Sequence, residues 1–441
     1  MTFLVNILIT LGSSVGVTLL GLLTSVLVAR TLEPTGRGLM VTILLWPQIL
    51  VWAGGLSLGY SNIYYGAAEP HARRRLFGNS LWAALILGSI TGVAALFLLP
   101  HFVPLNRTQH ILLEISLVLL PIGMATDYAV SLLQGTSQFS HLSLVRVISP
   151  AVTAVCLLLC WVTHTLTVTS AVVAVWIGGW TSFVLVLHVL IKAGYFSLRL
   201  DKALLRQSFS FSSRIHIGSL AALANGRLDQ LLMTALVAPR ALGLYAIAVT
   251  FSELLRQFAI AVTTVLYPKV AAEATPEIRR ETAIRTTRWM LLIGCVGAVC
   301  MFFIAPIIVP LLWGSHFSGS IRTLQVLLPG TVALSTGVTM AASLHGAGRP
   351  GVSTIAEVAS LIVMVPLLYF LLPRMGIFGA GLASTCGYFT NFLVIACYFA
   401  QTFGINSLLE VRPTMKDWKY ALSILMAVRR RFLPRSATVS A

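Results

Sequence analysis

Runs of about twenty or more apolar residues recur along nearly the whole chain, and few folds can accommodate them. An apolar stretch of about 20 residues crosses a hydrocarbon layer as a helix. Lipid offers no partner to a backbone N–H or C=O, so a chain built this way must satisfy those groups within helices. Only 10% of the 441 residues are charged and 57% are hydrophobic, whereas soluble domains carry roughly 25% charged residues. A water-soluble core is excluded, and the expected class is an all-α polytopic membrane protein.

Glycine, proline and charged punctuation divides the runs into twelve predicted spans, at about 3–29, 38–66, 78–99, 110–134, 141–163, 167–192, 209–236, 243–267, 288–312, 322–345, 351–373 and 377–402. The first is too long for a signal-peptide core. It also lacks a basic leader and a small-residue cleavage site, so it reads as an uncleaved span. The net charge of +17 has no aromatic-interleaved basic domain to serve, which excludes nucleic acid as a partner. It sorts by membrane side instead. With the N-terminus cytoplasmic, twenty basic residues fall on the inner side and six on the outer, which predicts that both termini are cytoplasmic.

Two internal echoes predict a doubled architecture. Pro34-x-x-x-Gly38-Leu39 returns as Pro239-x-x-x-Gly243-Leu244, and LLQGTSQ from Leu132 returns as SLHGAGR from Ser343. Both equate a span with the sixth one after it, in parallel orientation. The expected parts are a six-helix lobe at 1–192, a cytoplasmic linker at 193–208, a second six-helix lobe at 209–402 and a basic cytoplasmic tail at 403–441. Within the tail, residues 418–428 are too short to span and precede Arg429–Arg431, which predicts a helix lying on the inner surface.

Enzymatic motifs are missing. There is no H-E-x-x-H or P-loop, and no outer loop is long enough to house a catalytic site. The formal G-x-G-x-x-G at Gly346–Gly351 joins two spans without a βαβ unit, so it reads as a tight turn. The six cysteines lie within predicted spans with no CxxC pair, and read as apolar filler rather than disulfides or metal ligands.

Chemistry is therefore sought among ionisable side chains inside the spans, where they are costly and tend to face cavities or one another. Arg214 lies about 8 Å inside its predicted helix, within snorkelling reach. Arg227 lies deeper, beside Asn225 and Gly226, on a stretch expected to line a cavity. Asp229 is about 200° around the helix from Arg227 and is expected to contact a neighbouring helix instead. Glu253 and Arg256, at i,i+3 spacing near midspan, can pair with each other or face water. Asp127 and Arg146 are candidates to pair across the fourth-to-fifth turn. The second echo equates Arg146 with Glu357, a candidate lock between lobes.

The segments LLTSVLVARTLEPTGRGLM and NGRLDQLLMTALVAPRALGLYAIAVTFSELL resemble bacterial O-antigen and exopolysaccharide lipid flippases of the multidrug/oligosaccharidyl-lipid/polysaccharide exporter superfamily. The resemblance implies two six-helix lobes around a central cavity in the bacterial cytoplasmic membrane. It implies translocation of a polyprenyl-pyrophosphate-linked oligosaccharide by alternating access, in company with membrane lipid and other polysaccharide-assembly proteins. No cofactor or metal is expected beyond coupling to a proton or sodium gradient. Arginine suits phosphate oxygens, so Arg227 and Arg256 are the expected cavity cations, with Arg214 at the inner mouth. Asp127, Glu253, Arg146, Glu357 and Asp229 are the coupling or gating candidates. A multidrug exporter of the same superfamily is the alternative, and would favour an acidic cavity. A glycan polymerase or ligase lacks its outer loop here, and a non-transporting assembly factor is the remaining alternative.

Overall fold

The computed structural model describes residues 2–272 and 275–405. Among them are twelve α-helices and no strand: α1 (Thr2–Gly54), α2 (Leu58–Ala68), α3 (Arg73–Leu98), α4 (Arg107–Val118), α5 (Leu120–Gly135), α6 (Phe139–Val162), α7 (Val168–Lys192), α8 (Lys202–Leu236), α9 (Pro239–Ala272), α10 (Pro276–Trp313), α11 (Ser320–Gly346) and α12 (Gly351–Phe403). The chain is an all-α, multi-pass membrane protein. Large apolar side chains such as Phe97, Phe303 and Tyr369 stand outward, as a lipid-facing surface requires. The tail from residue 406 lies outside the described residues.

The helices do not map one to one onto the spans. Seven of those described are long and apolar enough to cross a membrane, and α4 with α5, bent by 43° at their junction, makes an eighth. Two of the seven hold more than one crossing. α1 is interrupted at Glu33 (φ 56°, ψ 179°) and α12 at Gly376 (φ 58°, ψ −141°). Glycine adopts such angles freely. Glu33 stands at a positive φ uncommon for a residue other than glycine, and Pro34 after it is tolerated at the start of the helical half that follows. α8 and α9 fall outside the apolar set because charged and amide side chains interrupt them. α8 begins at Lys202 rather than 209, since the Asp201 carboxylate accepts the Leu204 N–H and caps it. α10 begins at Pro276 rather than 288. In both cases the first turns are too polar to be read as membrane, yet remain helical.

The described chain divides into two compact units. The first comprises residues 2–251, 304–327 and 361–384, and the second the described parts of 252–303, 328–360 and 385–405. At one end of the first unit, the linker face, segment 193–201 is held against α3. Arg74 donates to the Phe196 carbonyl (3.0 Å) and Trp82 to the Leu198 carbonyl (2.8 Å). Asn79 exchanges two bonds with the Asp201 backbone (2.8 and 2.9 Å), and Arg75 pairs with its carboxylate at 2.9 Å. A Cβ at Gly78 would run into the Ser197 and Arg199 carbonyls, so glycine is what lets the segment lie so close. The Leu204 amide, and then Arg75, hold the Asp201 carboxyl below the usual carboxylate range.

At the opposite end, two helix starts cross at van der Waals contact. A Cβ on Gly38 would overlap the Pro239 carbonyl, and a Cβ on Gly243 would overlap the Pro34 carbonyl. The two halves of the sequence echo therefore meet each other. Around them Arg30 donates to the carbonyls of Leu312 (2.8 Å) and Leu311, which end α10 without helical partners. Trp313 donates to Ser25 (3.1 Å) and Trp46 to Thr234 (3.0 Å). In the second unit α10, α11 and α12 pack through Ile284, Leu344, Ala356 and Phe399. Small residues permit close approach there: Gly330 lies against Thr385, and Ser360 donates to the Gly387 carbonyl at 2.7 Å.

Candidate functional site

Midway along its length α8 turns from apolar to polar over Asn225–Thr234, and the buried and open sides of this stretch differ. Asn225, Asp229, Gln230 and Thr234 are buried. One Asp229 carboxylate oxygen accepts the Tyr245 hydroxyl of α9 at 2.5 Å and the Ser384 hydroxyl of α12 at 3.0 Å. The other oxygen accepts the Gln230 N–H at 2.7 Å. Tyr245 and Ser384 also stand 3.2 Å apart. A buried carboxylate thus ties three helices of the first unit together. Three donors offset part of the large cost of burying its charge.

Arg227 occupies the other side. It is half-buried, and Gly226 beside it faces open space. Among the described residues its guanidinium makes neither a hydrogen bond nor an ion pair, although it lies within electrostatic reach of the Asp229 carboxylate, so its five donors remain open to an anion. Arg214, nearer the start of α8, is exposed and equally without a hydrogen bond or ion pair among the described residues. Between them His216 shares a 3.0 Å hydrogen bond with Ser57.

Asp127 and Arg146 are not brought together. Asp127, on α5, faces a cavity of about 720 Å³ inside the first unit, together with Gln48, Trp52, Trp176 and Trp180. Arg146, on α6, lines a separate depression of about 450 Å³ with Ser149 and Thr153. Among the described residues no ion pair joins the two. The two depressions adjoin, sharing Val130, Ser149 and Ser182 in their walls, yet the charges do not meet.

In the second unit the i,i+3 pair does form. The Arg256 Nε lies 2.6 Å from the Glu253 carboxylate, both side chains half-buried. Glu357, on α12, is also half-buried. All six cysteines are free thiols.

Three features escaped the sequence. Tyr245 and Ser384 complete the Asp229 node, yet neither carries a charge to announce itself. Arg37, which falls just before the second predicted span, lies inside the second half of α1, its Nε buried without a hydrogen-bond partner. Its true setting reflects the shortness of the break, since only Glu33 separates the two helical halves. Arg73 and Arg74, between the second and third predicted spans, grip backbone carbonyls of Gly66 at the end of α2 and of Phe196 in the linker, and Arg75 pairs with the Asp201 carboxylate.

Broken paired helices, an outward apolar surface and buried polar nodes describe a polytopic all-α membrane protein. Solved structures share this fold. The lipid II flippase MurJ in an inward closed conformation superposes with a TM-score of 0.73 at 14% identity, covering 94% of this chain and 95% of that one. An inward-facing multidrug resistance MATE family transporter of the MOP superfamily gives 0.71 at 16% identity, over 89% and 96%. Residues 3–273 match the polysaccharide biosynthesis protein family. The chain belongs to that family. It is also 25% identical over 224 residues to the membrane protein MJ1068 of Methanocaldococcus jannaschii, a match covering 49% of this chain and 43% of that relative's length.

Proposed function

We propose that the protein moves a polyprenyl-pyrophosphate-linked oligosaccharide across the bacterial cytoplasmic membrane by alternating access, with lobes 1–192 and 209–402 as its working halves. The observation that carries this reading is the Arg227 guanidinium, unpaired and partly open within a span, in a chain of the polysaccharide biosynthesis family. A pyrophosphate is a strong anion, and the planar fork of arginine engages its oxygens in pairs. Arg214 would meet the same group nearer the linker face, assigned to the cytoplasmic side, and Arg256, paired here with Glu253, is the further expected cavity cation. Asp127, Glu253 and Asp229 are the carboxylates through which a proton or sodium gradient would act, with Arg146 and Glu357 as gating partners.

Complementation of a deletion strain tests the reading. Arg227→Ala is expected to insert at normal level and lose surface-polysaccharide assembly, with Arg227→Lys intermediate. One charge-assisted contact is worth roughly 1.5–3 kcal/mol, about tenfold or more in flux where binding limits it. An Arg227→Ala protein made normally and fully active refutes the role. A second reading, export of organic cations, is favoured by one observation: the carboxylate of Asp127 among Trp52, Trp176 and Trp180, a setting suited to a cation over aromatic faces. Drug resistance lost in Asp127→Asn, with polysaccharide assembly intact in Arg227→Ala, would select it.

A further inference from the structure

The second predicted span, 38–66, is broken at residues 55–57, where the second half of α1 ends and α2 begins. Leu56 (φ 49°) and Ser57 (φ 57°) both stand in the left-handed region, where a bulky side chain is an outlier. The junction is pinned from two helices. From α5, the buried Tyr128 hydroxyl donates to the Gly55 carbonyl at 2.7 Å. From α8, His216 Nδ1 shares a 3.0 Å hydrogen bond with the Ser57 hydroxyl, and the ring makes no other among the described residues. The α5 side is closely fitted: a Cβ at Gly55 would fall 3.2 Å from the Tyr128 hydroxyl, and one at Gly59 2.6 Å from that of Ser131. Residues held at such angles persist only when their surroundings over-determine them, and they gather at clamps and switch regions.

Ser57 has another use for its hydroxyl. It stands at the N-cap of α2, where serine ordinarily takes an extended backbone and accepts the amide two or three residues on. Here its side chain caps nothing. The amide of buried Gly59, the first of those two donors, has no hydrogen bond among the described residues. Ser212, one turn before His216 on the same face of α8, is buried with its hydroxyl also unpartnered. A buried polar group left unmet is costly, and more so within a span. Two such groups and two left-handed residues therefore surround one contact between α2 and α8. Ser57 has two bonding choices: His216 with a strained backbone, or the Gly59 amide with a relaxed one.

We propose that Ser57 is a two-position switch in the second span. Bonded to His216, it holds the left-handed junction. Released from His216, it turns to cap α2 on the Gly59 amide, and Leu56 and Ser57 leave the left-handed region. A hydrogen bond to α8 is set against a cap and the relief of strain, so a small displacement of α8 against α5 is enough to tip the balance. α8 also carries Arg227, about 16 Å along the helix from His216, and the switch passes movement of that helix to α2 through one side-chain bond. It needs no particular cargo, so it stands or falls apart from the translocation reading.

Amide exchange of the full-length protein in nanodiscs, resolved to single residues by mass spectrometry, tests the switch at Gly59. His216→Phe removes the α8 partner and is expected to slow Gly59 exchange about tenfold, the worth of one hydrogen bond, as the Ser57 hydroxyl takes up the amide. His216→Ala, which adds no bulk, carries the same expectation should the phenylalanine variant fold poorly. His216→Asn keeps a hydrogen-bonding atom near the Nδ1 position and should exchange as the unaltered protein does. In Ser57→Ala/His216→Phe no hydroxyl remains to cap, and the slowing should vanish. Leu56→Gly added to His216→Phe makes left-handed backbone easy again and should restore part of the original rate. Gly59 exchange that is unchanged or faster without His216 overturns the switch. So does slowing that survives loss of the Ser57 hydroxyl, since the cap would then come from elsewhere.

Discussion

Removing the Tyr245 hydroxyl should cost the fold more than its size suggests, because its partner is a buried charge. In Tyr245→Phe the Asp229 carboxylate loses its 2.5 Å donor and keeps Ser384 at 3.0 Å and the Gln230 N–H at 2.7 Å. Hydrogen bonds to charged groups contribute about 1.5–3 kcal/mol, and a phenol between packed helices leaves little room for water to take its place, so the expected loss is about 2 kcal/mol. Ser384→Ala should cost less, since Tyr245 still serves the same oxygen. Asp229→Asn alone places an amide N–H₂ against two hydroxyls, which can rotate to accept from it. Tyr245→Phe in that background should then cost only about 0.5–1 kcal/mol, the range of a neutral hydrogen bond. The double-mutant cycle therefore predicts a coupling of at least about 1 kcal/mol. Reversible unfolding by titration with SDS in mixed micelles, read by tryptophan fluorescence, measures all four proteins. Additivity within about 0.5 kcal/mol would show that the carboxylate does not depend on the phenol, and the node would lose its place as a three-helix tie.

Packing and charge set the other expectations. Gly38→Ala and Gly243→Ala should each destabilise the first unit by about 1–3 kcal/mol, the range for overpacking, seen as a lower midpoint in thermal unfolding; Gly226→Ala, which meets open space, should not. The depressed Asp201 carboxyl contributes stability that is present above its unfolded value of about 3.9 and lost as pH falls through the lower folded value. Amide exchange over 193–205, corrected for its intrinsic pH dependence, should accordingly show the same protection at pH 7 and pH 5, while Asp201→Asn should lower protection at neutral pH. Reporter fusions after Ser197 should report cytoplasm and after Ala241 the outside; the reverse at both refutes the assigned orientation. Asp127→Asn and Glu253→Gln, if both leave transport and its ion dependence unaltered, remove those two carboxylates from coupling.

The apolar runs made the class legible because lipid imposes a length and a composition that few other settings share. The Pro-x-x-x-Gly echo was equally legible, and its two copies proved to touch. Helix ends were not. Lys202–Phe209 and Pro276–Arg288 are helical but polar on most sides, and nothing in hydropathy separates such a turn from a loop. Partners across helices were legible only where the spacing is local. Glu253 and Arg256 share a turn and do pair, whereas Asp229 finds Tyr245 and Ser384 through packing that sequence spacing cannot encode. Asp127 and Arg146 show the converse, being close in the chain and lining adjoining depressions without pairing.

A contact in which Gly38 meets the Pro34 counterpart, Pro239, while Gly243 meets Pro34 itself is self-complementary. Two copies of a half-length chain related by a twofold axis would make both contacts with one motif, as isologous dimers do. Joining the copies in one chain releases each from that identity, and the surrounding positions have used the freedom: Arg37 stands where the second copy has Leu242. The glycines have not, because each is fitted to a carbonyl supplied by the other half. A larger residue at either position needs a compensating shift in a helix about two hundred residues away, so the two copies continue to constrain one another like subunits of a dimer.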